Sequence, residues 1–139
     1  MQPLLSVEHL SMRFGGLTAV DDLSFEASDR EITAIIGPNG AGKSTAMKAV
    51  FGMLNVHSGS VRLDGEDITK LSPQERVVKG MGFVPQTSNI FTSMTVEENL
   101  EMGAFIREDD IKETIEQVFE LFPILKEKRN QPAGELSGG

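Results

Sequence analysis

Gly37-Pro38-Asn39-Gly40-Ala41-Gly42-Lys43-Ser44-Thr45 fits the pattern G-x-x-x-x-G-K-[ST] at every fixed position. That pattern belongs to loops whose backbone N–H groups converge on phosphate oxygens. Glycines at 37, 40 and 42 let the chain turn inward with no side chain in the way. Lys43 brings a compact positive charge, Ser44 a hydroxyl suited to Mg²⁺, and Thr45 closes the candidate loop. A helix starting here directs the positive end of its dipole at the same anion. The flanks agree. Ile32-Thr33-Ala34-Ile35-Ile36 is nearly continuous apolar sequence, which predicts a parallel strand buried on both faces, and Ala46-Met47-Lys48-Ala49-Val50-Phe51 predicts a helix. The order strand, loop, helix separates this stretch from a glycine-rich turn that matches by accident.

The 139 residues are 39% hydrophobic and 24% charged, a balance that fits one globular domain or part of one and excludes a wholly disordered or collagen-like chain. A formal net charge of -8 argues against a nucleic-acid partner, because displacing counterions from a phosphate backbone takes lysine and arginine. Affinity for phosphate is therefore expected to be local. The chain has no cysteine, which excludes a disulfide framework and a thiolate metal site. His9 and His57 stand far apart in the sequence and are read as structural. No apolar run approaches the roughly 20 residues of a membrane helix, and the first residues have neither the basic start nor the apolar core of a signal peptide. A soluble protein is expected, with docking on a membrane partner left open.

Upstream of the loop, Leu4-Leu5-Ser6-Val7 and Leu17-Thr18-Ala19-Val20 are separated by Gly15-Gly16, and Asp21-Asp22 follows, so this β-rich entry is predicted to be antiparallel strands. Phe14, just before the glycine pair, could lie against an adenine base or fill core as an ordinary strand aromatic. Downstream, Ser60-Val61-Arg62-Leu63 is a predicted strand and Asp64-Gly65 a two-residue hairpin turn. Ser72-Pro73-Gln74-Glu75 combines an N-cap serine, proline at the first helical position and a capping-box glutamate, so a short helix starts there and ends at Gly80. Met81-Gly82-Phe83-Val84 is the next strand, stopped by Pro85 before Gln86. Thr95-Val96-Glu97-Glu98 is a second capping box. A third helix carries Ile111, Ile115, Val118, Phe119 and Phe122 on one face, with Asp109 or Asp110 at its start and Pro123 at its end. Met47, Met53, Met81 and Met102 are read as packing residues. The tail Gly134-Glu135-Leu136-Ser137-Gly138-Gly139 reads by itself as a flexible terminus, although a serine followed by two glycines could form a second anion cradle at the start of a helix.

Taken together these stretches resemble an ABC-type ATPase subunit. The resemblance rests on an aromatic Phe14 upstream, a Walker A loop at 37–45, Val84-Pro85-Gln86 as the Q-loop and Leu136-Ser137-Gly138-Gly139 as the signature motif, in that order and spacing. It covers the whole chain. The wording between motifs, Met94-Thr95-Val96-Glu97-Glu98-Asn99-Leu100 and Phe119-Glu120-Leu121-Phe122-Pro123, is similar to the ATPases of branched-chain amino acid importers. Residues up to about Gly37 look more like one of the two related ATPases of such importers and the remainder like the other, so a recombined chain is one reading.

The resemblance implies an α/β P-loop NTPase fold, with an antiparallel region at 1–30, a RecA-like part of the core at 31–86 and a helical subdomain at 87–139 up to the signature. It implies ATP and Mg²⁺ as ligands. Phe14 would stack on adenine, Lys43 would hold the β- and γ-phosphates, and Ser44 with Gln86 would place Mg²⁺ and the attacking water. Ser137, Gly138 and Gly139 would face the nucleotide of a second ATPase subunit, and the helices after Gln86 would meet membrane permease subunits at the cytoplasmic face. The family pattern continues past the signature with a Walker B strand and a switch histidine. Neither is present in these residues, so an N-terminal part that does not hydrolyse ATP alone is expected. The alternatives are a nucleotide-binding module or regulatory fragment without hydrolysis, and a soluble ABC protein of repair or translation. In the resembling family, later strands lie between the strands expected at 32–36 and 81–84, so these are expected to be left with open edges.

Overall fold

The computed structural model describes residues 2–38, 40–87 and 89–137, and the chain divides into two units, Met1–Phe83 and Val84–Gly139. In the first unit, β1 (Leu5–Phe14), β2 (Leu17–Ala27), β3 (Ser58–Leu63) and β4 (Glu66–Asp67) form one antiparallel sheet in the order β2-β1-β3-β4. Gly15-Gly16 is the whole connection between β1 and β2, with Phe14 paired to Leu17 and Gly15 at φ 59, a left-handed backbone that glycine adopts without strain. Asp64-Gly65 turns β3 into β4 as the sequence predicts, both residues with positive φ (49 and 81), and Leu63 pairs with Glu66.

Asp21-Asp22 lies inside β2 rather than at its edge. Asp22 (φ 52) and His9 (φ 51) interrupt the ladder between β1 and β2, and the register shifts on both sides of Leu10. Side chains take over the missing ladder bonds. The Asp22 amide donates to Ser11 Oγ at 2.9 Å, the His9 amide donates to Ser24 Oγ at 2.9 Å, and His9 Nδ1 lies 2.7 Å from Asp22 Oδ1. The strands thus continue through a bulge, where sequence pattern alone expects a break.

Helix α1 (Lys43–Phe51) buries Ala46, Ala49 and Val50, spaced as one face of a helix, against Val7, Leu10 and Met12 of β1, Val20 of β2, Val61 of β3 and Ile68. Met47 falls off that face and is exposed, as are Met53 and Met102, which corrects their reading as packing residues. Helix α2 (Pro73–Val78) starts as predicted, with Pro73 at its first position and the Glu75 amide donating to Ser72 Oγ at 3.2 Å. The strands predicted at 32–36 and 81–84 are not formed among the described residues. Ile32 and Ile36 are 101% and 90% exposed. Apolar sequence becomes a strand only by exchanging hydrogen bonds with a neighbour, and no described segment pairs with either stretch.

The second unit is helical. Helix α3 (Val96–Gly103) opens on the predicted capping box, the Thr95 amide donating to Glu98 Oε2 at 2.9 Å and the Glu98 amide to Thr95 Oγ1 at 3.1 Å. Helix α4 (Lys112–Leu121) has Asp110 Oδ1 accepting from the Lys112 amide at 3.0 Å. Pro123 does not merely end α4: it is the first residue of α5 (Pro123–Glu127), where its missing N–H costs nothing. Ile115 and Phe119 carry the predicted stripe into the core, whereas Phe122, at the junction, is exposed. The Val96 and Glu97 amides donate to the Gln131 and Arg129 carbonyls, each at 3.0 Å. Arg129 then lies 5.0 Å over the Phe119 ring and reaches Glu97 Oε1 at 2.8 Å, which closes the start of α3 onto α4.

Candidate functional site

The glycines of the loop are not equivalent. Gly42 is the N-cap of α1 at φ 93, and a Cβ added to it would stand 2.5 Å from the Ala19 carbonyl oxygen, so backbone strain and collision both exclude a side chain there. Gly40 has φ 86 but open space around it. Gly37 has neither a left-handed backbone nor a close neighbour, and the conformational reason for glycine at 37 does not hold. The close contact at Gly42 seats the loop directly on the backbone of β2, the return strand of the hairpin that carries Phe14. Nothing in the sequence around Ala19 announces this, because the contact is made by a carbonyl that every residue has.

From Gly42 the helix follows at once, with the Ala46 amide donating to the Gly42 carbonyl at 2.9 Å. The first turn of α1 has no side-chain cap and no acidic residue, which leaves its N–H groups and the positive end of its dipole to an anion. Before it, the Ala41 amide donates to the Pro38 carbonyl at 3.2 Å, and Lys43 Nζ donates to the Gly37 carbonyl, which draws the ammonium back over the loop. Ser44 is exposed on the first helical turn and Thr45 is half-buried beside it. An uncapped helix start, a glycine cradle pressed onto a strand and one ammonium fit a polyphosphate, and the Ser44 hydroxyl is accessible for a cation. Asn39 lies outside the described residues.

Phe14 is 49% exposed at the end of β1, so its ring is not a core filler. The structure therefore gathers Gly37, Pro38 and residues 40–45, with the Phe14 hairpin in contact at Ala19. Gln86 and Ser137 belong to the second unit and are exposed there, Ser137 following the short 3₁₀ turn Ala133–Glu135 and Leu136. Gly138 and Gly139 lie outside the described residues. Among the described residues no helix is long and apolar enough to cross a membrane.

The family model for ABC transporters matches residues 20–139. The probable branched-chain amino acid transport ATP-binding protein LivF of Archaeoglobus fulgidus is 39% identical over 98% of this chain and 58% of its own length. The high-affinity branched-chain amino acid transport ATP-binding protein BraG of Pseudomonas aeruginosa is 41% identical over 98% of this chain and 59% of its own. Among solved structures, a nucleotide-free ATP-binding cassette from an ABC transporter superposes with a TM-score of 0.80 at 32% identity, covering 98% of this chain and 60% of that one. The ADP conformation of an ATP-binding cassette does so with the same score and identity over 99% and 60%. The chain thus spans somewhat under two thirds of the length of these relatives. With its glycine loop seated on the β2 backbone and the family model matching residues 20–139, this chain belongs to the ABC transporter family.

Proposed function

We propose that this chain forms the phosphate-holding part of the ATP-binding subunit of an importer for branched-chain amino acids, with ATP and Mg²⁺ as its ligands. The observation that carries the reading is Gly42, whose left-handed backbone and contact with the Ala19 carbonyl aim an uncapped helix start out of the loop. On this reading the loop residues 37–45, Asn39 included, surround the phosphates, with Lys43 as their counter-charge. Phe14, free of the core, stacks on the base. Ser44 and Gln86 hold Mg²⁺, and Gln86 also orients the attacking water. Ser137, Gly138 and Gly139 face the nucleotide of a second ATP-binding subunit. The exposed apolar residues of the helical part, among them Phe105 and Ile106, support docking on permease subunits at the cytoplasmic face of the membrane. Residues 1–30, 31–86 and 87–139 then serve as base-contacting sheet, phosphate-binding part and partner-contacting helical part.

Titration with a fluorescent ATP analogue tests the site. Lys43→Ala is expected to weaken binding by about 1.5 to 3 kcal/mol, the loss of a charge-assisted contact, and equal affinity would remove the loop as the site. Phe14→Ala is expected to weaken ATP by about 1 to 3 kcal/mol, as for base stacking on aromatics elsewhere, and to leave free triphosphate unaffected.

A further inference from the structure

The phosphate loop is one end of α1, and the other end is held by a buried charge. Arg76, in α2, is 2% exposed. Its Nη1 donates to the Val50 carbonyl in the last turn of α1 at 2.6 Å, its Nη2 to the Thr69 carbonyl at 2.9 Å and its Nε to the Leu71 carbonyl at 3.1 Å. Among the described residues no carboxylate pairs with it. A guanidinium withdrawn from water without a counter-ion is costly, and burial lowers its pKa below the ordinary arginine value. Three backbone carbonyls offset that cost only while α1, the link after β4 and the start of α2 keep their mutual placement. Gly52, at φ 89 just past α1, fits the same arrangement: a Cβ there would stand 2.6 Å from Arg76 Nε.

The same end of α1 is attached a second time. The Arg76 carbonyl accepts the Met81 amide at 3.1 Å, and two residues further on the Phe83 ring stacks on Phe51, the last residue of α1, with centroids 5.4 Å apart. From Phe83 the chain runs on to Gln86. Helix α1 is a rod of about 13 Å, so a shift or rotation imposed at Val50 reappears at Lys43 and Ser44.

We propose that Arg76 is a positioning residue of the phosphate loop: it sets α1 from the end opposite to Lys43 and ties the loop to the segment 81–83 that leads to Gln86. This rests on the nucleotide-binding reading above. The test is titration of the intact protein with a fluorescent ATP analogue, with thermal melting of the same samples, for Arg76→Met and Arg76→Lys in the native and the Lys43→Ala backgrounds. At a temperature where Arg76→Met is folded, its affinity is expected to fall on the order of tenfold. Arg76→Lys should recover part of that, and the loss should shrink when Lys43 is already absent, because the ammonium being placed is gone. A folded Arg76→Met protein that binds like wild type, or loses equally in both backgrounds, overturns the proposal. Should Arg76→Met not fold, amide exchange on the native protein decides: ATP analogue should slow the amides of Gly52, Met53 and Met81 as well as the loop, and slowing confined to the loop overturns it. A native protein that binds no analogue, or a Lys43→Ala protein that binds equally, overturns the nucleotide reading itself, independently of any change at Arg76.

Discussion

Two stretches of the first unit that both predict strand, the alternating β1 and the nearly continuous apolar residues 32–36, have opposite fates. In β1, Val7, Leu10 and Met12 are buried against α1, and the strand exchanges backbone bonds with β2 on one side and β3 on the other. In 32–36, Ile32 and Ile36 stand almost wholly in water and no described strand lies alongside. The difference is not in propensity, since isoleucine is as good a strand former as valine or leucine. It lies in neighbours. β1 meets β2 through the tight Gly15-Gly16 turn and β3 at the far end of the connection that carries α1, whereas no described segment comes alongside 32–36 to exchange backbone bonds.

The sharpest way to break the comparison is to make the same kind of truncation in both stretches. Leu10→Ala is expected to destabilise by about 2 to 5 kcal/mol, because it opens a cavity in the core, whereas Ile36→Ala should change stability by no more than about 0.5 kcal/mol and make the chain less prone to associate. Urea unfolding with size-exclusion chromatography measures both; an equal cost would mean that 32–36 is packed in solution.

Gly42→Ala comes next. A φ of 93, strained for alanine though not for glycine, and the Ala19 contact predict a loss of about 1 to 3 kcal/mol in stability together with weaker ATP-analogue binding, while Gly37→Ala, with room and an ordinary backbone, should fold normally. A Gly42→Ala protein as stable as the native one would show that the loop lifts off β2.

The helical unit gives smaller effects, because its helices hold their own backbone bonds and need no distant strand. Thr95→Ala removes one side of the capping box and should cost about 1 kcal/mol, read as a shift in the melting of the helical signal. Acid should act more weakly still. The Arg129 hydrogen bond holds the Glu97 carboxyl below its usual value, so its contribution is complete above the unfolded carboxylate pKa and is lost as pH falls through the lower folded one. Part of the destabilisation as pH falls below about 5 should therefore vanish in Glu97→Gln, and an unchanged acid melt would place Glu97 outside the effect.

Short-range chemistry was legible from the residues. Ser72 with Pro73, and Thr95 with Glu98, announced helix starts because a cap is made with residues two or three positions away. Asp64-Gly65 announced its hairpin because both positions need positive φ. Asp21-Asp22 misled for the complementary reason: an aspartate with positive φ reads as a turn, and only His9, Ser11 and Ser24 on neighbouring strand positions supply the bonds that keep it inside a strand. Arg76 carries no signal of its own in the sequence, since an arginine beside a glutamate in a short polar helix has the pattern of a solvated face, and only the Val50, Thr69 and Leu71 carbonyls around it make it a buried one.

The sequence by itself determined the glycine loop as the candidate phosphate site, the helix that follows it, the hairpin turns and the capped helix starts, because each is decided by bonds and sterics within a few residues. The tertiary structure alone decided which glycine of the loop is indispensable, that Phe14 is free of the core, that Arg76 is buried and that 32–36 stays unpaired. Each of these depends on a backbone carbonyl or an empty space contributed by residues far away in the chain, and a carbonyl has no letter in the sequence.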